Sequence, residues 1–292
     1  MRRLTLSLVA LVVAGSGVEG LARLHEGGTE IVGGARGYRT RPGTYGANSR
    51  GFHERELAEA KPAGTRRIAV LGDSMTWGTT SAEEAWPRQL EVALGPAVEV
   101  LNFSTYGYDA RQSWATLPEV WAFHPDQVLL GAYWNDHVPT RGITVGEPPF
   151  LVWLAAQRWP WRHSAAWRAL DGRAHRDEWN FQPVEGFFRE ALTGIEEDCR
   201  ARGVPFLVVV LAPHALAQGV DGCVAFGAPR ERCELATGWT QRLVDDATAV
   251  GVPLVDARGA LSAPSPPSNA TDWEHPGPDG HRAIAALVAR HL

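Results

Sequence analysis

From residue 67 to the C-terminus, short apolar runs alternate with stretches of helical spacing, and few folds fit this alternation. Five runs rich in Val, Ile and Leu have strand length: RRIAVLGDS, VEVLNFSTYG, DQVLLGAYWND, PFLVVVLAPH and VPLVDARGAL. Helical spacing recurs in EEAWPRQLEVAL, ARQSWATLPEVWAF, VEGFFREALTGIEEDCRARG, ATGWTQRLVDDATAVG and DGHRAIAALVARHL. Strands that are apolar throughout are covered on both faces, so the pattern predicts an α/β fold. In it, a central, mostly parallel five-stranded sheet lies between two layers of helices.

Composition is typical of a globular protein. The chain has 292 residues, of which 45% are hydrophobic and 21% charged, so one large domain is expected. Its formal net charge of -5 offers no basic surface for phosphate backbones, and nucleic acid is not an expected partner.

The first 23 residues have the pattern of a signal peptide or an N-terminal membrane anchor. Arg2 and Arg3 precede an apolar run from Leu4 to Ala14. A buried first helix is the alternative interpretation. The pattern predicts an exported protein that is periplasmic, extracellular or membrane-anchored facing outward, with membrane association through this segment.

Two further regions stand apart from the repeating pattern. Residues 24–65 are rich in Gly, Arg, Thr and Pro and are predicted to form an extended segment that wraps the main domain, residues 66–292. An insertion at about 138–180 is rich in tryptophan, and ordinary packing, a lid over a substrate and membrane contact all remain open for it. Its tryptophans are Trp153, Trp159, Trp161 and Trp167.

The three cysteines allow one bridge. Cys223 and Cys233 have nine residues between them and would close a small loop in an oxidising compartment, leaving Cys199 unpaired. Two reduced structural cysteines are the alternative, because sequence alone does not fix the pairing.

Polar residues follow the predicted strands. They are Gly72 to Ser74, Ser104 to Gly107, Asn135 to His137, and Pro213 with His214. The carboxyl ends of parallel strands meet at one edge of the sheet, where ligands bind in open α/β folds, so we expect the chemistry there. His214 is expected to be a structural histidine whose hydrogen bonds are satisfied within the protein.

One constellation fits nucleophilic catalysis. Ser74 directly follows the first buried strand, and a serine nucleophile needs an imidazole base oriented by a carboxylate. Asp272 and His275 lie three residues apart in a turn-rich stretch before the last helix. The alternative for Ser74 is a turn serine that caps a helix.

These motifs resemble the SGNH hydrolase superfamily of GDS-type esterases and lipases at four places in chain order. The segments are GDSMTWG with Ser74, VLNFSTYGYDARQ with Gly107, YWND with Asn135, and DWEHPGPDGH with Asp272 and His275. The resemblance implies the flavodoxin-like SGNH fold and a catalytic Ser74, Asp272 and His275. It also implies an oxyanion hole made by Ser74 N–H, Gly107 N–H and the Asn135 amide, with no cofactor and no metal.

One position departs from the family pattern. Tyr133 stands where the family often has glycine in Gly-x-Asn-Asp, which reduces backbone freedom and leaves the shape of the loop in question. Asp136 is expected to brace this loop.

His281 is the competitor of His275 as the base, and with Asp272 the two histidines have a spacing within reach of one metal ion. No third or fourth ligand has a suitable spacing, so a metal is not expected. The family pattern favours His275.

The resemblance implies a serine esterase that hydrolyses carboxylic esters, acetyl or other acyl, through an acyl-enzyme. An acylated glycan or a lipid is the expected substrate. One alternative is an O-acyltransferase that acts on cell-surface polysaccharide or glycan. A second is a non-catalytic glycan-binding or assembly module.

Overall fold

The computed structural model describes residues 15–21, 28–139, 164, 166, 183–261 and 272–292. Contacts divide them into two compact units. One contains the described residues before Thr40 and those between 141 and 182, and the other contains the remainder. The four tryptophans of the predicted insertion lie outside the described residues.

Seven strands and eight α-helices have both ends within the described residues, and residues 15–21 are helical as well. The strands are β1 (Thr29–Gly33), β2 (Gly37–Thr40), β3 (Arg66–Gly72), β4 (Val98–Asn102), β5 (Gln127–Ala132), β6 (Phe206–Val210) and β7 (Leu254–Asp256). The helices are α1 (Ser74–Trp77), α2 (Trp86–Leu94), α3 (Ala110–Trp114), α4 (Leu117–Val120), α5 (Phe187–Ala201), α6 (Gly219–Ala225), α7 (Arg230–Val250) and α8 (Pro278–Ala289).

Strands β3 to β7 form one five-stranded sheet in the order β4-β3-β5-β6-β7. All four pairings are parallel, so the predicted mostly parallel sheet is confirmed. Counted from β3, the order is 2-1-3-4-5, the flavodoxin-like order, in which the first strand has a neighbour on each side. In open α/β sheets ligands bind at such a reversal of strand order, and Ser74 lies there, two residues after the end of β3.

Each strand of the sheet sends alternate side chains into two separate cores. In β3, Ala69 and Leu71 join one apolar cluster while Ile68 and Val70 join the other. The first cluster includes residues of α3, α4 and α5, and the second includes residues of α2 and α8. Side chains alternate across a strand, so apolar residues throughout require cover on both faces, and the three-layer α/β/α fold follows.

Part of the segment 24–65 forms regular secondary structure. Residues 29–40 form a two-stranded sheet, with β1 and β2 joined by a 3₁₀ turn at Gly34–Arg36. Both strands are short and glycine-bounded, so they leave little periodicity in the sequence. Further along, Phe52 is fully buried and its ring packs edge-to-face against Phe103 at 5.1 Å. This part of the segment therefore contributes to a core.

The predicted helix over ARQSWATLPEVWAF is broken into α3, α4 and a 3₁₀ turn at Trp121–Phe123. Pro118 lies in the first turn of α4, and proline cannot continue a preceding helix because it lacks the N–H. Helix α7 begins at Arg230, six residues before the predicted ATGWTQRLVDDATAVG stretch, and α6 was not predicted.

Cys223 of α6 and Cys233 of α7 are joined by a disulfide, which is one of the two alternatives that the sequence left open, and Cys199 is buried and unpaired. None of the helices in the described ranges combines the length and apolar content needed to span a bilayer.

Candidate active site

Ser74 is the first residue of α1, separated from the end of β3 by Asp73, and only 7% of it is exposed. The turn before it is tight. Gly72 has φ +152°, and a Cβ there would lie 2.4 Å from the Thr76 Oγ1 atom. On the adjacent strand, a Cβ at Gly131 would lie 2.1 Å from the same atom. Two paired glycines thus allow α1 to lie directly over the sheet edge.

Asp272 and His275 come together through the turn before α8. The Asp272 Oδ1 atom accepts hydrogen bonds from the backbone N–H groups of Glu274 and His275, both at 3.0 Å. Its Oδ2 atom lies 2.8 Å from His275 Nδ1. On the other side of the ring, His275 Nε2 lies 2.9 Å from Ser74 Oγ. Carboxylate, imidazole and hydroxyl therefore form one hydrogen-bonded line.

The protonation states along this line follow from the pKa shifts. Burial alone would raise the pKa of Asp272, but hydrogen bonds from the His275 side chain and backbone lower it to about 2. Burial alone would lower the pKa of His275, but its hydrogen bond and charge attraction to Asp272 raise it. Because Asp272 is ionised, Nδ1–H must donate to it. In the neutral ring Nε2 is then the acceptor for the Ser74 hydroxyl.

Asn135 lies in a 3₁₀ turn, Trp134–His137, which Tyr133 separates from the end of β5. Its side-chain amide acts on the buried carboxylate of Asp73, the residue before Ser74, and lowers the pKa of that carboxyl. Asp136 is fully buried, and its Oδ2 atom accepts a hydrogen bond from Tyr133 N–H at 2.8 Å. The expected brace across this turn is thus present.

Asp73 stabilises the turn between β3 and α1. Its Oδ1 atom accepts a hydrogen bond from Met75 N–H at 2.9 Å and so caps α1. Burial raises the pKa of Asp73 to about 6, although the hydrogen bond from Met75 N–H and the nearby Asn135 amide both act to lower it. Sequence reasoning treated Asp73 only as part of the GDS motif and missed its contact with Asn135.

Gly107 lies in the exposed turn after β4, with φ +74°. Its neighbour Tyr106 is 53% exposed, and the Tyr106 ring stacks against His275 with 6.1 Å between centroids. The four sequence segments around Ser74, Gly107, Asn135 and His275 therefore meet at one end of the sheet.

Two other histidines are fixed by backbone contacts. The Nδ1 atom of fully buried His281 accepts a hydrogen bond from Trp86 N–H at 3.3 Å. The Nε2 atom of His214 donates to the Asp272 carbonyl at 2.7 Å. Within the described ranges, no group of three His, Cys, Asp or Glu side chains is arranged to hold a metal ion.

Comparison with known proteins identifies the class. The model of the GDSL-like Lipase/Acylhydrolase family matches residues 70–283, which is most of the chain. The three-layer fold and this match define a hydrolase that acts on esters. The chain belongs to the GDSL-like lipase/acylhydrolase family, within the SGNH hydrolase superfamily. No curated protein matches the sequence.

Solved structures resemble the fold at low sequence identity. A putative lipolytic protein of the G-D-S-L family from Desulfitobacterium hafniense DCB-2 is 13% identical, with a TM-score of 0.49 over 78% of this chain and 100% of its own. The native aryl esterase of M. smegmatis is 18% identical, with a TM-score of 0.47 over 78% of this chain and 98% of its own. Another crystal structure is 12% identical, with a TM-score of 0.51 over 78% of this chain and 97% of its own.

Proposed function

We propose that the protein is a serine esterase that hydrolyses carboxylic esters through an acyl-enzyme on Ser74. The observation that carries the proposal is the hydrogen-bonded line from Asp272 Oδ2 through the His275 ring to Ser74 Oγ, at 2.8 and 2.9 Å. A hydroxyl, an imidazole and an ionised carboxylate in this order are the groups that activate a serine nucleophile.

In the first half of the reaction, Ser74 Oγ attacks the ester carbonyl carbon while His275 Nε2 takes the hydroxyl proton. The imidazolium that forms is stabilised by Asp272, whose pKa of about 2 keeps the carboxylate ionised at neutral pH. His275 then returns the proton to the departing alcohol oxygen as the C–O bond breaks. Ser74 is left as an ester of the acyl group.

In the second half, water attacks the acyl-enzyme carbonyl and gives one proton to His275 Nε2. Collapse of the tetrahedral intermediate releases the carboxylic acid, and the proton returns to Ser74 Oγ. Both halves place negative charge on the former carbonyl oxygen, which needs fixed donors. The backbone N–H groups of Ser74 and Gly107 and the Asn135 side chain are the proposed donors.

The contact between Asn135 and Asp73 fits this role. A side-chain amide nitrogen carries two hydrogens, so one can bond Asp73 while the other points to the oxyanion. The proposed substrate is an acetyl or other acyl ester carried by a glycan or a lipid.

A serine-reactive probe and a matched pair of variants test the proposal. A fluorophosphonate probe should label the wild type and S81A, a control at an exposed loop serine, but not S74A. Melting temperatures measured alongside should be similar, since Ser74 supports little of the core. Turnover or labelling retained in S74A would refute the assignment.

Product analysis with p-nitrophenyl esters from acetyl to long acyl then defines the acyl group. Release of free acid supports hydrolysis, whereas acyl transfer to an added glycan would identify the O-acyltransferase alternative. A folded wild type that shows neither reaction and no labelling would point to the non-catalytic alternative.

We also propose that the protein works outside the cytoplasm. The disulfide between Cys223 and Cys233 supports this location because such bonds persist in oxidising compartments. Cell fractionation should recover the Ser74-dependent esterase activity outside the cytoplasm, in an extracellular, periplasmic or membrane fraction. Recovery in the cytoplasmic fraction, with the cysteines reduced, would contradict the proposal.

A further inference from the structure

The loop that carries Asp272 and His275 is hydrogen-bonded to the segment that follows β6. The Nε2 atom of His214 donates to the Asp272 carbonyl at 2.7 Å. The His214 backbone N–H donates to the Glu274 carbonyl at 3.1 Å, and Ala215 N–H donates to the Trp273 carbonyl at 3.3 Å. Three successive carbonyls of the loop are therefore bonded to two residues.

His214 itself is held in place by packing. It begins a 3₁₀ turn, His214–Gln218, and is only 8% exposed. Its ring lies edge-to-face against Phe226, with 4.9 Å between centroids, at the end of α6. The orientation of the Nε2–H donor is therefore set by contacts outside the loop that it supports.

The disulfide lies among the residues that contact His214 and the loop from Asp272 to His275. Cys223 and Cys233 are both fully buried and form a small apolar cluster with Ala215 and Ala228. Trp273 of the loop packs against the same cluster, as does Phe226. The bond therefore ties together the start of α7, helix α6 and the residues that contact the loop from Asp272 to His275.

We propose that His214 is a positioning residue for the Asp272 and His275 pair, and that the Cys223–Cys233 disulfide holds the segment that presents it. This inference rests on the proposed serine esterase function. Nothing in the hydrogen-bonded line from Asp272 to Ser74 includes His214, which acts through the backbone of Asp272.

The physical reason lies in the number of bonds that Asp272 must make at once. Its carboxylate accepts from Glu274 N–H, His275 N–H and His275 Nδ1–H. The adjoining carbonyl is fixed by His214, so rotation of the Asp272 backbone would pull the carboxylate away from the His275 ring. Misplacement of catalytic groups by about 1 Å can cost ~10²-fold in rate.

Two substitutions distinguish the effect of the His214 N–H donor from the effect of the His214 ring. H214F keeps an aromatic ring against Phe226 but has no N–H donor, whereas H214Q keeps a side-chain N–H donor but loses the ring. With p-nitrophenyl acetate, H214F should lower kcat by about tenfold or more with little change in KM. H214Q should retain most of the wild-type kcat.

The pH profile supplies a readout that lost stability alone would not change. Neutral His275 is the proposed base, so the acid limb of kcat/KM follows its pKa. That pKa is lowered by burial and raised by Asp272 and, to a smaller extent, by the charges of Asp73 and Glu274. When Asp272 is displaced, its larger contribution falls while those of Asp73 and Glu274 remain, so the acid limb of H214F should move to lower pH while that of H214Q stays near the wild-type position.

The disulfide is tested by the double variant C223S/C233S, with C199A as the control at a buried cysteine in a different cluster. The double variant should show lower kcat and the same shift of the acid limb, while C199A should match the wild type. Circular dichroism establishes folding for every variant. If H214F is unfolded, H214N provides the test, since its amide is too short to reach the Asp272 carbonyl.

The outcomes separate this inference from the proposed function. A folded H214F or H214N with wild-type kcat and an unmoved acid limb overturns the role of His214. A folded C223S/C233S with wild-type kcat overturns the role of the disulfide. If the wild type itself has no Ser74-dependent turnover, the proposed function fails first.

Discussion

His281 provides a quantitative test of how burial lowers the pKa of a histidine and thereby changes the free energy of unfolding with pH. It lies in α8 and is fully buried, with Nδ1 accepting from Trp86 N–H and Nε2 lacking a hydrogen-bond partner within the described ranges. Burial, with a smaller effect of the charge on His275, lowers the pKa of His281 from 6.5 to about 4. The H281N variant keeps an acceptor for Trp86 N–H but does not titrate.

The sign and size of the effect follow from linkage. Between pH 6.5 and about pH 4, the unfolded chain binds a proton on His281 and the folded chain does not, so acid lowers the free energy of unfolding. Relative to pH 8, the loss at pH 4.5 is about 2.5 kcal/mol for these two pKa values. H281N avoids this loss but gives up packing, which costs ~1–2 kcal/mol at any pH.

H281N should therefore be less stable than the wild type at pH 8 and should equal or exceed it at pH 4.5. Urea unfolding of both proteins at both pH values measures this, with the pH 8 result serving as the control for lost packing. The other titrating groups cancel in the difference between the two proteins. A stability difference that is the same at both pH values would refute the reasoning. Near-wild-type kcat at pH 8 is also expected, because the contact of His281 is with α2 rather than Ser74.

Two further predictions concern the oxyanion and the packing of α5. N135A should lower kcat by ~10² or more if its amide stabilises the oxyanion, and an unchanged kcat in steady-state assays would leave Asn135 a structural role. G194A should lower the free energy of unfolding by ~1–3 kcal/mol because the new Cβ would lie 2.4 to 2.6 Å from ring atoms of Trp114. Its control, G238A in α7, has no atom within 4 Å and should gain ~0.5–1 kcal/mol. Equal urea midpoints for the two alanine variants would contradict this explanation.

The five-stranded sheet was predictable because its signal is physical and local. Strands that are covered on both faces need apolar side chains at every position, and few other segments of the chain satisfy this. Element boundaries were harder to predict. Pro118 signals the break between α3 and α4 in the sequence itself, but the exact residues where these helices end and begin are not marked, and α6 is a short helix in a Gly-containing stretch. Its place depends on the tertiary contacts around Cys223.

In the candidate site, too, some features were predictable from the sequence and others were not. Asp272 and His275 are three residues apart, so their pairing is visible in the sequence, and the end of β3 marks Ser74. The support from His214 was not visible. It acts through a backbone carbonyl 58 residues away, and a carbonyl acceptor leaves no residue preference in the sequence.

Tyr133 shows which backbone positions of the site require glycine. A glycine is needed where φ is positive or where a Cβ has no room. Tyr133 has φ -130° and ψ 158°, an extended conformation open to any residue, and its N–H is bonded to Asp136. The strict requirement lies two residues earlier, at Gly131, where a Cβ would collide with Thr76 of α1. Replacement of the family glycine by Tyr133 is therefore compatible with the turn that carries Asn135, because the close approach of α1 to β5 depends on Gly131 and Gly72 instead.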